Sequence, residues 1–159
     1  MRDRSSSLDT QDPGVSSGLL VLRVVVGLVF FMHGWQKLVD NGISATQQGF
    51  DGMGVMLPDI TAVIVTFVEL IGGAMLIAGF LTRIAGVLLV IDMIAALFIV
   101  HVENGFFAAN GGFELVFLLA GGALALVIAG PGAYSADAMV GFPGLARNEV
   151  IGTRLAARR

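Results

Sequence analysis

The chain has 159 residues, of which 56% are hydrophobic and 13% charged, and its net charge is −3. This composition is too apolar for a soluble domain of this length, and the charge excludes a nucleic-acid-binding protein. Because the sequence contains no cysteine, disulfides, thiol relays and thiolate metal sites are excluded, and redox chemistry requires a bound cofactor or a partner.

Four apolar segments along the chain are long enough to cross a hydrocarbon core of about 30 Å. They are Leu19–Leu38, Ile60–Leu81, Ile84–Val100 and Phe113–Ala129. The sequence therefore predicts an all-α, integral membrane, antiparallel four-helix bundle that forms one domain over residues 18–140. Residues 1–17 are expected to be a disordered cytoplasmic tail, and residues 141–159 a basic cytoplasmic tail.

The connections between the segments are short and rich in glycine. Asn41–Pro58 is the longest, and we expect a short helix near Thr46–Gly52 within it. Gly130-Pro131-Gly132 should end the last span, since glycine and proline both stop helices. The first span is expected to be a retained helix, because it is too long for the core of a signal peptide and no small-residue cleavage site follows it.

Lysine and arginine placement predicts the orientation in the membrane. On one side lie the arginines of both tails and of the turn between the second and third spans, namely Arg2, Arg4, Arg83, Arg147, Arg154, Arg158 and Arg159. Lys37 alone lies on the other side. Both termini are therefore expected to be cytoplasmic. Small residues in the last span, Gly121, Ala125 and Ala129, and in the second span, Gly72, Gly73 and Ala74, favour close helix packing.

Every apolar segment carries at least one ionisable side chain. Between Ile60 and Leu81, twelve Leu, Ile, Val and Phe residues contribute roughly −4 to −7 kcal/mol to insertion, against roughly +3 kcal/mol for one central acid. Insertion is therefore compatible with Glu69. A rise of 1.5 Å per residue places Glu69 and Asp92 near mid-membrane, within reach of the long Arg23 side chain.

We therefore predict an intramembrane polar cluster of Arg23, Glu69 and Asp92, in which one carboxyl holds a proton. A second group should line a pocket that opens to the outside: His33, Lys37, His101, Glu103 and Glu114. His33 and Lys37 lie four residues apart and share one helix face. His33, His101 and Glu114 have suitable ligand types for a metal, but their spacing does not enforce one, and we predict no metal site. A purely structural role, in which buried ion pairs fix the packing of the bundle, remains open.

Four sequence motifs resemble the DoxX family of small bacterial membrane proteins. In order they are LLVLRVVVGLVFFMHGWQKL from Leu19, VELIGGAMLIAGFLTR from Val68, HVENGFFAANGGFEL from His101 and GPGAYSAD from Gly130. The resemblance implies a four-helix protein of the bacterial inner membrane with recurring polar positions at Arg23, His33, Lys37, Glu69, His101 and Glu114. It also implies an association with quinone-linked oxidoreductases and oxidative-stress resistance.

Three functions follow as hypotheses, and the sequence leaves open whether the protein is an enzyme. The first is a membrane subunit of a quinone-linked oxidoreductase or respiratory complex, with a bound quinone whose affinity falls in His33→Ala or Glu114→Gln. The second is a non-catalytic scaffold that docks partners or a second copy of itself through Gly121 and Ala125. The third is a carrier of protons or small solutes, which predicts flux into liposomes that Glu69→Gln abolishes.

Overall fold

The computed structural model describes residues 12–140. Residues 1–11 of the N-terminal tail predicted over residues 1–17, and the whole tail predicted over residues 141–159, lie outside the described residues, with the arginines that they contain. Six α-helices follow one another in the described part of the chain: α1 (Pro13–Trp35), α2 (Ile43–Gly52), α3 (Pro58–Ala78), α4 (Thr82–Ala96), α5 (Glu114–Ala129) and α6 (Ala136–Val140). The predicted all-α architecture is confirmed.

Four of these helices form the antiparallel bundle. Helix α1 packs mainly against α3, and α4 against α5, while contacts between α3 and α4 and between α1 and α5 close the ring. Large apolar side chains that are almost completely buried fill its centre, among them Phe30, Leu76, Leu89 and Leu126. The short helix α2 lies against α3 at one end.

The two ends of the bundle differ. At the end that we call the terminus side, the segment after α5 folds back onto the start of α1 and the turn between α3 and α4. Ala133 donates its N–H to Ser16 Oγ (3.2 Å), and Asp137 donates its N–H to the Gly79 carbonyl (2.9 Å). At the opposite end, the loop side, α2 and the connection from α4 to α5 cover the bundle.

Helix α1 begins at Pro13 instead of Leu19, so the segment predicted as a tail is already helical from that residue. The Asp12 side chain accepts hydrogen bonds from the N–H groups of Gly14 (2.8 Å) and Val15 (3.3 Å), and Pro13 occupies the first helical position. This N-cap stabilises a polar helical turn that hydropathy does not detect, which explains the error in the boundary.

Helices α1 and α4 each continue at the loop side into a wider, π-helical turn. The turn after α1 spans Gln36–Asp40. The turn after α4 spans Leu97–His101 and is followed by a single 3₁₀ turn. The continuous helical segments reach Asp40 and Asn104, which makes them longer than the predicted spans. The π turns contain Lys37 and His101, two of the predicted site residues.

Three helical segments of the described chain are long and apolar enough to cross a membrane, namely those that begin at Pro13, Pro58 and Thr82. The fourth predicted span is helix α5, which has 16 residues. At 1.5 Å per residue it measures about 24 Å, less than the usual hydrocarbon thickness of about 30 Å. Its predicted end is confirmed, because Gly130 follows Ala129 with a φ of 83°.

Helices α1 and α3 approach each other closely through glycines. A Cβ placed on Gly73 would lie 2.7 Å from the carbonyl oxygen of Gly27 and 2.9 Å from Phe31 Cα. A Cβ on Gly27 would similarly lie 2.8 Å from the carbonyl oxygen of Gly73. The predicted packing role of Gly73 is therefore confirmed, whereas a Cβ on Gly121 would meet no described atom within 4 Å.

Candidate functional site

A cavity of about 370 Å³ occupies the loop-side half of the bundle. All four long helices contribute to its wall, and α2 and the loop before α5 cover it. Most of the lining is apolar, including Phe30, Phe50, Val65, Met93, Ala96 and Leu119. The volume lies in the range of small-molecule and cofactor sites, which are typically apolar with a few polar groups that orient the ligand.

An ion pair lies in the wall of this cavity. Lys37 Nζ, on the π turn of α1, contacts Glu69 Oε2 in the middle of α3, and the two side chains are only 19% and 6% exposed. His33 lies one turn before Lys37 and is close enough to interact with the Glu69 carboxylate electrostatically. An ion pair in an apolar environment is expensive to break, because either partner alone would be a buried, uncompensated charge.

Asp92, near the middle of the helical segment that begins at Thr82, faces the same cavity. It interacts electrostatically with both Glu69 and Lys37. Its Oδ2 atom is buried and accepts no hydrogen bond from any residue between 12 and 140. Two carboxyl groups therefore share the neighbourhood of one ammonium group, and one carboxyl oxygen remains without a donor.

His101 joins the cavity to the loop that covers it. Its Nδ1 lies 2.7 Å from the carbonyl oxygen of Gly111, which also lines the cavity. Since a carbonyl only accepts, Nδ1–H must donate, and Nε2 of the neutral ring is then an acceptor. The loop is held a second time by Glu114, whose Oε2 accepts a hydrogen bond from the Ala108 N–H (3.0 Å).

The structure groups the predicted site residues differently from the inner cluster and outer pocket that the sequence predicted. His33, Lys37 and His101 of the predicted outer pocket line the cavity together with Glu69 and Asp92 of the predicted inner cluster. Glu103 and Glu114 do not line it: Glu103 is exposed, and Glu114 holds the covering loop. Lys37 contacts Glu69, and His101 lines the same cavity. Both residues sit in π turns, which no periodic sequence pattern indicates.

The prediction that Arg23 joins Glu69 and Asp92 is wrong in its geometry. The Arg23 side chain is completely buried at the terminus side, where Nη2 donates to the Tyr134 carbonyl. A Cβ on Gly79 would lie 2.7 Å from Arg23 Cζ, so the guanidinium packs directly against the end of α3. Arg23 has this anchor instead of the acids because the segment after α5 folds back onto α1 at the terminus side.

Asp137 is the residue that sequence reasoning missed. It is 1% exposed, interacts with Arg23 electrostatically, and accepts hydrogen bonds from the N–H groups of Leu81 (2.7 Å) and Thr82 (3.0 Å). It thereby caps α4 from a distant part of the chain. The available signal was the closing GPGAYSAD motif, which ends in this aspartate.

Metal binding has no support in the arrangement of the described side chains. Within residues 12–140, no three histidine, aspartate or glutamate side chains come close enough together to hold an ion. His101 uses one ring nitrogen on Gly111, and Glu114 is engaged by Ala108. The cavity wall combines apolar side chains with a few polar groups, which is typical of sites for organic molecules.

The bundle, its apolar helices and the interior polar groups define a helical membrane protein with a cavity in its loop-side half. A sequence profile of the DoxX family matches residues 18–102. The chain belongs to the DoxX family, as the sequence motifs predicted.

Curated relatives agree with this assignment. "Putative oxidoreductase CatD" of Bacillus subtilis is 38% identical over 69% of this chain and 78% of its own length. "Inner membrane protein YqjF" of Escherichia coli is 35% identical over 77% of this chain and 92% of its own length. "Inner membrane protein YphA" of Escherichia coli is 29% identical over 75% of this chain and 87% of its own length. No solved structure matches the chain.

Proposed function

We propose that this protein is a membrane subunit of a quinone-linked oxidoreductase assembly and that it binds a quinone in the loop-side cavity. The observation that carries the proposal is the combination of an apolar cavity of about 370 Å³ with His33, Lys37, Glu69, Asp92 and His101 in its wall. A quinone has an apolar ring and tail and two polar oxygens, so its chemistry matches both parts of this wall.

The relative named as an oxidoreductase supports this assignment as a class of function. The chain has no cysteine, so electrons must pass through a bound organic cofactor or a partner protein. The quinone supplies the redox chemistry, and the described residues bind and orient it. Polar cavity residues on α1, α3 and α4 would hold its oxygens, and apolar residues such as Phe30, Phe50 and Leu119 would pack against its ring.

Purification in mild detergent, followed by extraction and mass spectrometry of bound lipids, tests the proposal. We expect menaquinone or ubiquinone to copurify with the protein. In Ala96→Phe, the larger side chain fills the cavity and bound quinone should fall by about tenfold or more, whereas His33→Ala should cause a smaller, severalfold loss. Ala74→Phe, at an exposed position of α3, is the matched control and should keep its quinone.

Absence of quinone from the wild-type extract, together with no titratable binding of added quinone, would remove the proposal. Equal quinone content in Ala96→Phe and Ala74→Phe would show that any bound quinone lies elsewhere. Glu114→Gln is a less informative variant than the sequence suggested, because Glu114 contacts the loop instead of the cavity.

We further propose that the protein lies in the bacterial inner membrane with the terminus side cytoplasmic. Lys37, the cation that opposes this orientation in the sequence, is paired with Glu69. Because the chain has no cysteine, single cysteines report the topology directly. A membrane-impermeant maleimide added to spheroplasts should label Gln48→Cys in α2 but leave Met139→Cys in α6 unlabelled until lysis; the reverse pattern would contradict the orientation.

A scaffold remains a second candidate, supported by the free surface around Gly121. A Cβ on this residue would meet no described atom, and Ala125 on the same helix is exposed. If a partner subunit or a second copy docks there, Gly121→Leu should abolish copurification or oligomer formation while the quinone content stays unchanged. Retention of all partners by Gly121→Leu would count against this candidate.

A further inference from the structure

One carboxylate oxygen of the cavity has no hydrogen-bond donor. Lys37, the ammonium group in the wall, is paired with Glu69 Oε2, whereas Asp92 Oδ2 is buried and accepts no hydrogen bond from residues 12–140. An acceptor buried without a partner is costly, and charged acceptors more than neutral ones. Asp92 Oδ2 is therefore free to accept a hydrogen bond from a ligand in the cavity.

The other polar groups of the wall offer little further donor capacity. Thr61 lies in the first turn of α3. Its Oγ1 donates to the carbonyl groups of Met56 (2.8 Å) and Leu57 (3.1 Å), which directly precede that helix. His101 uses Nδ1–H on Gly111, which makes Nε2 an acceptor in the neutral ring. His33 has one donor and one acceptor when neutral, so it serves either kind of ligand group. Of the three N–H donors of the Lys37 ammonium, Glu69 uses one, so the polar wall combines free donors on Lys37 with the unpaired acceptor Asp92 Oδ2.

We infer that the cavity selects the reduced, hydroquinone form of its ligand over the oxidised quinone, with Asp92 Oδ2 as the acceptor of one ligand hydroxyl. This inference rests on the proposed function and specifies its ligand further. This selection requires Asp92 to be the ionised carboxylate and not the carboxyl that the sequence predicts to hold a proton. The two carbonyl oxygens of a quinone only accept hydrogen bonds, so a quinone facing ionised Asp92 leaves two acceptors in contact. A hydroquinone presents hydroxyl groups in the same places and satisfies the carboxylate.

This assignment gives Asp92 and Glu69 separate tasks. Glu69 holds Lys37 in the wall, and its carboxylate is engaged before any ligand binds. Asp92 contributes an oxygen that no described residue occupies and that can accept a hydrogen bond from a ligand. Asp92 is therefore a specificity residue, which distinguishes two forms of one molecule that have nearly the same shape.

The test compares menadione with its hydroquinone, menadiol, since both are small head groups without an isoprenoid tail. Binding to the full-length protein in nanodiscs is measured anaerobically, in excess of binding to empty nanodiscs. We expect menadiol to bind about tenfold more tightly than menadione, because a hydrogen bond to a buried carboxylate is a strong one. Asp92→Ala should reduce this preference to about one, and Asp40→Ala, an exposed aspartate, should keep it.

The possible results separate the inference from the proposed function. If neither form binds above the empty nanodiscs, the proposed function fails and the inference fails with it. If both bind equally, or menadione binds more tightly, the cavity remains a quinone site and the selection of the reduced form is overturned. Persistence of the preference in folded Asp92→Ala overturns the role of Asp92. If Asp92→Ala does not fold, Asp92→Asn tests the role of Asp92 instead. Its amide can donate a hydrogen bond to a quinone carbonyl, so the preference for menadiol over menadione should fall below about threefold.

Discussion

Arg23 and Asp137 show how single residues hold the terminus side together. Arg23 is a completely buried cation, and Asp137 is the acidic side chain that interacts with it. The same aspartate accepts two backbone hydrogen bonds at the start of α4, where Leu81 has a left-handed φ of 45°. One side chain thus stabilises a helix end, a strained turn and a buried charge, and we expect its loss to affect stability strongly.

Asp137→Ala should lower the free energy of unfolding by about 3 kcal/mol, because it removes a helix cap and leaves Arg23 without its counter-charge. Asp137→Asn keeps one acceptor oxygen and should cost less. Unfolding monitored by circular dichroism in a detergent–denaturant titration measures both variants, with Asp51→Ala in α2 as an exposed control. Equal midpoints for Asp137→Ala and Asp51→Ala would show that this contact does not stabilise the bundle.

The contact between α1 and α3 is the main packing feature at the scale of helices. Gly27 and Gly73 let the two backbones come close enough that a Cβ on either residue would overlap the opposite helix. This crossing brings Lys37 of the π turn beside Glu69, four residues before Gly73. The spacing of the glycines therefore contributes to the geometry of the ion pair as well as to packing.

Gly73→Ala should destabilise the protein by about 1–3 kcal/mol, because its methyl group must displace the backbone of α1. Gly121→Ala is the matched control: its methyl group has free space, and alanine is the better helix former by roughly 0.5–1 kcal/mol. The same unfolding titration compares the two. A Gly73→Ala variant as stable as Gly121→Ala would contradict the close approach of α1 and α3.

The sequence predicted the helices better than the contacts between them. Hydropathy located all four bundle helices, since long apolar segments are a strong signal, and the spacing of His33 and Lys37 correctly placed both on one face. The pairing of Arg23 with Asp137 could not be predicted from periodicity, because it depends on how the chain after α5 folds back. The π turns were missed for a similar reason: they change the direction of Lys37 and His101 without changing composition.

At the scale of the whole molecule, the two halves of the bundle have different contents. The terminus-side half is packed with side chains that are almost completely buried, including Leu76, Leu126 and Arg23. The loop-side half contains the cavity and its polar wall. This asymmetry places the candidate ligand site entirely in the loop-side half.

The central claim is that the loop-side cavity is a quinone site. Photolabelling with a diazirine-bearing quinone tests this claim most directly, because it reports the position of the ligand. Labelled protein in nanodiscs is digested, and the modified residues are identified by mass spectrometry. We predict labels on cavity residues of α3 and α4, such as Val65 and Met93, that disappear with excess unlabelled quinone and in Ala96→Phe. Labels confined to outward-facing residues such as Ile71 and Ile128, unaffected by competitor, would contradict the account.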